Sequence, residues 1–553
     1  MKKLLATLLV ATLLCLSLVT FAACTSDDEK DSLVIYNWAD YIYPEWEQEF
    51  KDYYKSVTGK TIELTYVTFD TPETMITKIT KGDSNVDVMC PSEYAIQKLM
   101  VDDWLVPLNY FSDNYLDTSS LNGFVSNSGN VDANIIDKIR DGFTGLTCTR
   151  QDKTTYVANM VDYMVPYMYG TLGILYNRAE FNRLGITAEK MNKANWGILF
   201  NDDGEGNLLS EGLSGSILMK DSIRDSYAAT LFYLVESGKL DGKTTDGGKA
   251  YASLSASELI NCVDDDIIEA CKEALTEQKS QLFGYEVDFG KDDLLKGNAM
   301  VDLAWSGDAM YAVEESWTAH TDLDDDGNCD MCLEPMSELD PEDGEYQLAY
   351  YVPHTYGNIW FDGWIVPRTY NPDHMTAIKL FINFLNTPRV AVANMYEIGY
   401  SAAVSPDVVQ NDDDAKATLT QLYYVNAPEY YEFSAEELAE NGGYDYDSWD
   451  EFAEEFFGSV DDCDQSNWRY PFVSAQENIS GNRGIDTLGM MRDFGDKNAD
   501  VVTMWNYARS AGVSAWGVVL WTVLVIAVLA GGVAVFAIVK KHRMMTVVIS
   551  KAQ

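Results

Sequence analysis

The sequence predicts an α/β protein of two lobes followed by a membrane-spanning helix, and three observations predict it. Short apolar runs alternate with helix-like stretches, the alternation starts afresh after Leu146, and residues 515–539 are apolar and uncharged. The chain of 553 residues is 47% apolar or aromatic, ample for one large or two medium cores. Thirteen Trp, 34 Tyr and 21 Phe either fill those cores or stack on a ligand, and composition does not separate the two uses.

The first 23 residues carry a basic start, Lys2 and Lys3, then an apolar stretch of signal-peptide length ending in small residues before Cys24. This resembles a bacterial lipoprotein signal, which implies lipidation of Cys24, although Phe21 stands where that family has Leu; ordinary secretion with cleavage nearby is the alternative. Residues 24–32 read as a polar tether. From Leu33 the runs LVIYNW, TIELTYV and VDVMC read as strands. PEWEQEFKDYYKSV and PETMITKITKG read as helices, opened by Pro44 and Pro72 and closed by Gly59 and Gly82. That rhythm implies a mostly parallel sheet, with ligand sites at the carboxyl ends of strands, where NWADY (37–41) and CPSEY (90–94) fall.

A second α/β lobe starts with the extended segment MVPYMYGTLGILYN (164–177). SGSILMKDSIRDSYAATLFYLVESG (214–238) and NAMVDLAWSGDAMYAVEES (298–316) each read as strand then helix. After an acidic insert, 318–345, the chain returns with YGNIWFDGWIVP (356–367), a helix-like HMTAIKLFINFLNTP (374–388) and IGYSAAVSPD (398–407). Asp493 to Arg509 suits a last docking helix. Residues 515–539 are long enough to cross a hydrocarbon layer of ~30 Å, and Lys540, Lys541, His542 and Arg543 place the tail 540–553 in the cytoplasm by the positive-inside rule. Everything before Ala515 then lies outside the cell.

Several of these stretches together resemble the spermidine/putrescine-binding proteins of bacterial ABC transporters. NWADY, CPSEY, VPYMYG, SILMKDSIRD, DLAWSGDA, NIWFDGWIVP and INFLNTPRVAVANMYEIGY follow in that family's order over Leu33 to Asp407, with a looser match in RDFGDKNADVVTMWNYA. The resemblance implies a two-lobed, type II periplasmic-binding-protein-like fold with hinge crossovers, and no catalysis. It divides the chain into one lobe of 33–165 with 362–410 and another of 166–361 with 411–510. It further implies a polyamine ligand, a permease and an ATPase as partners, and ligand contacts at Trp38, Asp40, Tyr41, Ser92, Tyr94, Asp225, Trp305, Trp360, Asp362 and Tyr400. Ser222 stands where the family has an acid, with Asp221 beside it, and Met491 stands where it has a glutamine.

The residue chemistry agrees independently. A polyamine is a methylene chain carrying ammonium groups, so its site needs spaced carboxylates and aromatic faces; a cation over a ring contributes ~0.5 to 2 kcal/mol and a charge-assisted hydrogen bond ~1.5 to 3. Taken alone, Asp40 suits a helix N-cap and the tryptophans suit core. The formal charge of −48, from 87 Asp+Glu against 39 Lys+Arg, argues against nucleic acid and for cations. The same acidity serves solubility, and Asp264–Asp266 and Asp412–Asp414 read as solvated runs.

The insert carries a separate signal. Asp322, Asp324, Asp326 and Gly327, with Asp330 at the ninth position, match the start of an EF-hand-type calcium loop, but Leu333 stands where the bidentate acid belongs. A Cys329–Cys332 bridge and a partial zinc site with His320 are the other readings. No other cofactor is expected. Among rival functions, an enzyme lacks a recognisable triad or nucleophile elbow, and a sugar or amino-acid site does not need three acids without a basic counterpart. A membrane-anchored receptor would have only the short tail to signal through.

Overall fold

The structure, a computed structural model, describes residues 30–69, 71–82, 85–113, 115–319, 344–424, 453, 456–457 and 488–511. Cys24, the insert acids Asp322, Asp324, Asp326 and Asp330, Cys329, Cys332 and the run 515–539 lie outside the described residues. Among the described residues no helix is long and apolar enough to cross a membrane, and no group of three His, Cys, Asp or Glu side chains is placed to hold a metal ion. Cys90, Cys148, Cys262 and Cys271 are all unbridged.

The first sheet is the parallel one the sequence predicts. Strand β1 (Asp31–Asn37) lies between β2 (Ile62–Thr68) and β3 (Val88–Met89), parallel to both. Helix α1 (Trp46–Thr58) joins β1 to β2 and turns its buried Trp46, Phe50, Tyr54 and Val57 onto the core. It ends at Gly59, whose φ of 76° is the left-handed geometry glycine supplies at least cost. Helix α2 (Pro72–Thr80) is capped by Thr71, which accepts from the Thr74 amide, and α3 (Glu93–Val101) follows β3 directly.

The second sheet is mixed, because its central strand is long and returns against its neighbours. Strand β4 (Val165–Asn177) is buried along all but its last residue. It pairs antiparallel with β7 (Val301–Trp305), β8 (Leu348–Tyr351), β9 (Asn358–Trp364) and β10 (Ser401–Ala402). Strands β5 (Ile217–Lys220) and β6 (Leu282–Glu286) extend the sheet in parallel beyond β7. Helix α4 (Ile223–Glu236) follows β5, α5 (Asp265–Gln278) precedes β6, and α6 (Ser306–Glu315) follows β7.

Two apolar cores result. One holds the first sheet together with α7 (Met375–Leu385) and α8 (Pro388–Ile398); the other holds β5, β7, α4 and α5 with the last helix, α9 (Asn498–Ser510). Strand β4 feeds both: Tyr167 and Met168 enter the first, Leu172 and Ile174 the second. The segment just before α9 ties the two halves, since the Ile359 amide donates to the Gly489 carbonyl at 3.0 Å and Asn261 Nδ2 donates to the Met490 carbonyl at 2.8 Å.

Candidate binding site

Asp362 is the centre of the candidate site. Its strand β9 carries a register shift between Asp362 and Gly363, and Ser92, the residue opening α3, forms an isolated bridge with Asp362. The side chain is only 5% exposed, and burial pushes its pKa up to about 7, against the pull of the nearby Ser92, Tyr41 and Trp38 donors. Neither Tyr41 OH nor Trp38 Nε1 closes a full hydrogen bond to the carboxyl: both, with Asp362 Oδ1, are buried without a partner. A carboxyl left so, within an apolar shell, is costly alone and stabilised by a cation.

Aromatic rings surround it. Tyr400 meets Trp360 edge-on at 4.9 Å and Tyr41 at 6.1 Å, and Tyr41 meets Tyr167 at 5.8 Å. Trp38 leans on Phe69 at 4.5 Å. Trp360 lies against Gly170 of β4 so closely that a Cβ there would stand 2.7 Å from the ring and 2.5 Å from Ser306 Oγ. Trp305, the residue before Ser306, stands opposite Leu172 of β4, two positions along from the Gly170 that faces Trp360. Trp305 Nε1 donates to Asp225 Oδ1 at 3.3 Å.

Asp225 stands in the first turn of α4, whose N-cap Ser222 accepts from the Asp225 amide at 3.4 Å. Its pKa is raised by burial, offset by the Ser222 and Trp305 hydrogen bonds and by Lys220 and Arg224. Arg224 does not pair with Asp225. Its guanidinium lies 3.7 Å from the Phe494 ring centroid and 5.4 Å from that of Tyr94, so α4, α3 and the segment before α9 meet there. Glu73, from α2, keeps solvent contact, yet surrounding protein raises its pKa, with Asp225 adding to the rise.

Nine of the ten candidate residues thus form a connected set. The exception is Asp40, which is exposed in a turn with a φ of 49° and makes no ion pair among the described residues. Nor does it cap a helix, because α1 begins at Trp46, after Glu45.

Asp40, Asp225 and Asp362 form no ion pair among the described residues, but other acids around them are paired with lysines. Lys220 Nζ, at the end of β5, lies 4.5 Å from the Trp305 ring centroid and pairs with buried Glu286. Lys291 pairs with Asp308 at 2.5 Å, and Tyr400 OH donates to the other Asp308 oxygen at 3.4 Å. Glu93, fully buried, accepts from the Phe361 and Met491 amides at 3.0 and 3.2 Å, and its pKa is pushed up to about 8 by burial. Glu93 lies within CPSEY and Asp308 within DLAWSGDA, so the motifs were a signal for both; the pairing of Lys220 with a residue 66 positions away had no local signal.

The model of the family described as bacterial extracellular solute-binding protein matches residues 39–392. The spermidine/putrescine-binding periplasmic protein of Escherichia coli K12 is 22% identical over 422 residues, covering 72% of this chain and 91% of its own. The protein of the same name from Salmonella typhimurium is 24% identical over 386 residues, 70% of this chain and 80% of its own. The crystal structure of a Treponema pallidum lipoprotein superposes with a TM-score of 0.50 at 14% identity, covering 87% of this chain and 99% of that one, a likeness of fold.

Proposed function

Because the chain belongs to the bacterial extracellular solute-binding proteins, we propose that its aromatic, acidic site receives a polyamine for an ABC importer. The names of the E. coli and Salmonella relatives support the ligand class, and one observation carries it here: Asp362 is a buried acid without a cation among the described residues, faced by rings. Trp38, Tyr41, Ser92, Trp360 and Tyr400 cover the methylenes around the ammonium at Asp362; Trp305, Tyr94 and Asp225 take the other end, and Asp40 guides cations at the rim. The two lobes, 33–165 with 362–410 and 166–361 with 411–510, close over the ligand and exclude water, which strengthens each charged contact.

The binding part faces outward, anchored by 515–539 as a spanning helix with the tail in the cytoplasm and by lipid at Cys24, and delivers cargo to a permease driven by an ATPase. Charge pattern and apolar length in the sequence support this topology. The insert acids remain a calcium-loop proposal on spacing alone. Calorimetry with putrescine, spermidine, glucose and glutamate tests the ligand class. Saturable heat from an amine alone is expected, in the micromolar range or tighter, ~8 kcal/mol; binding of the sugar or the amino acid without the amines would replace the reading.

A further inference from the structure

How many ammonium groups the site accepts depends on how many of its acids are already neutralised inside the protein. In the half built on the second sheet, most are. Asp308, three residues after Trp305, is held by Lys291 at 2.5 Å, and Asp221 by Arg509 at 2.8 Å. Glu286 is held by Lys220, which is itself 2% exposed, donates to the Val287 carbonyl at 3.0 Å and adjoins the buried Asp302. The Lys220 ammonium also occupies one face of the Trp305 ring. A ligand cation over that indole must therefore use the opposite face, where it shares the ring's negative potential with a fixed like charge.

Two buried carboxylates of the connected set remain outside any ion pair among the described residues: Asp362 on β9 and Asp225 on α4. Glu73 adjoins Asp225 from the other half and belongs to the same end of the site. Asp40 is solvated at the rim and offers no dry anchor.

Accepting the polyamine reading, we propose that Lys220 and Lys291 make this a diamine site, with one ammonium at Asp362 and one at Asp225 beside Glu73, while Asp221, Glu286 and Asp308 are already held by cations and both oxygens of Glu93 by backbone amides. A triamine would have to place its extra charge against Lys220 or compete with Lys291 for Asp308. Lys291 is the specificity residue best suited to test, because its pair with Asp308 is partly exposed, whereas removing Lys220 would strand Glu286 and Asp302 in the interior.

Calorimetry on the full-length, detergent-solubilised protein with putrescine and spermidine reads the preference directly. Putrescine is expected to bind about tenfold or more tightly than spermidine. Lys291→Met, checked for folding by thermal denaturation, is expected to narrow that ratio several-fold by tightening spermidine, since Asp308 is released. Tighter binding of spermidine by the unmodified protein, or an unchanged ratio in folded Lys291→Met, would overturn the diamine assignment while leaving the polyamine reading intact. Should Lys291→Met fail to fold, the ratio in the unmodified protein still decides. Binding of neither amine would remove the polyamine reading itself, and the diamine assignment with it.

Discussion

Asp362 couples the site to pH. Its pKa of about 7 lies well above the ordinary carboxylate value, so between roughly pH 4 and 7 the folded protein holds a proton that the unfolded chain has released. The ligand-free protein therefore loses stability as pH rises through that window, and the full cost is present above 7. Ligand binding has the opposite preference, because an ammonium needs the ionised acid. Amine affinity is expected to fall as pH drops below 7, approaching tenfold per unit, in calorimetric titrations between pH 5.5 and 8. Asp362→Asn should weaken amine binding strongly, remove the pH dependence of any binding that remains, and raise the ligand-free melting temperature at pH 8, since it removes an uncompensated buried charge that costs on the order of a few kcal/mol. Trp305→Ala should lose at least tenfold in affinity while staying folded by circular dichroism, because the ring is only half-buried yet holds both the Asp225 contact and the cover over Lys220. Retained binding in both variants would dismiss these residues as ligand contacts.

At the scale of elements, close backbone approaches set where the rings stand. Gly307, in the first turn of α6, lies against the Tyr400 ring, and a Cβ there would come within 2.5 Å of it. Gly399, just before Tyr400, has a φ of 79°, so the turn that delivers the ring is itself a glycine geometry. Gly307→Ala must displace Tyr400, which is already 4.9 Å from Trp360. Amine affinity is expected to drop about tenfold or more in Gly307→Ala, and stability by about 1 to 3 kcal/mol in denaturant titration. Affinity equal to that of the unmodified protein would mean that Tyr400 does not touch the ligand.

For the whole molecule, binding across two halves predicts stabilisation by mass action. Putrescine at 100 times its dissociation constant should add about 2.7 kcal/mol and raise the melting temperature correspondingly. Closure should also lower the radius of gyration in solution scattering, since the candidate site draws residues from the turn after β1 and from α3, α4, β7 and β9. The hydrogen bonds that Glu93 accepts from the Phe361 and Met491 amides join three of the segments that must stay aligned during that motion. A melting temperature unmoved by any amine would argue against this ligand class.

The sequence by itself determined the alternation of strands and helices, because hydrophobic period and turn residues are local properties. It placed β1 with β2, the strand-to-helix steps at Ile217–Glu236 and Val301–Glu315, and the motif that delivers Trp38 and Tyr41. It did not show which acids the protein itself neutralises: Asp40 turns to solvent on a left-handed residue, while Lys220 reaches Glu286 and Trp305 through a sheet that no local pattern encodes. Charge pairing across tens of residues, and the burial that raises Asp362, depend on distances fixed only once β4 has been shared between two cores. Which acids are left for a ligand is therefore a property of the tertiary structure.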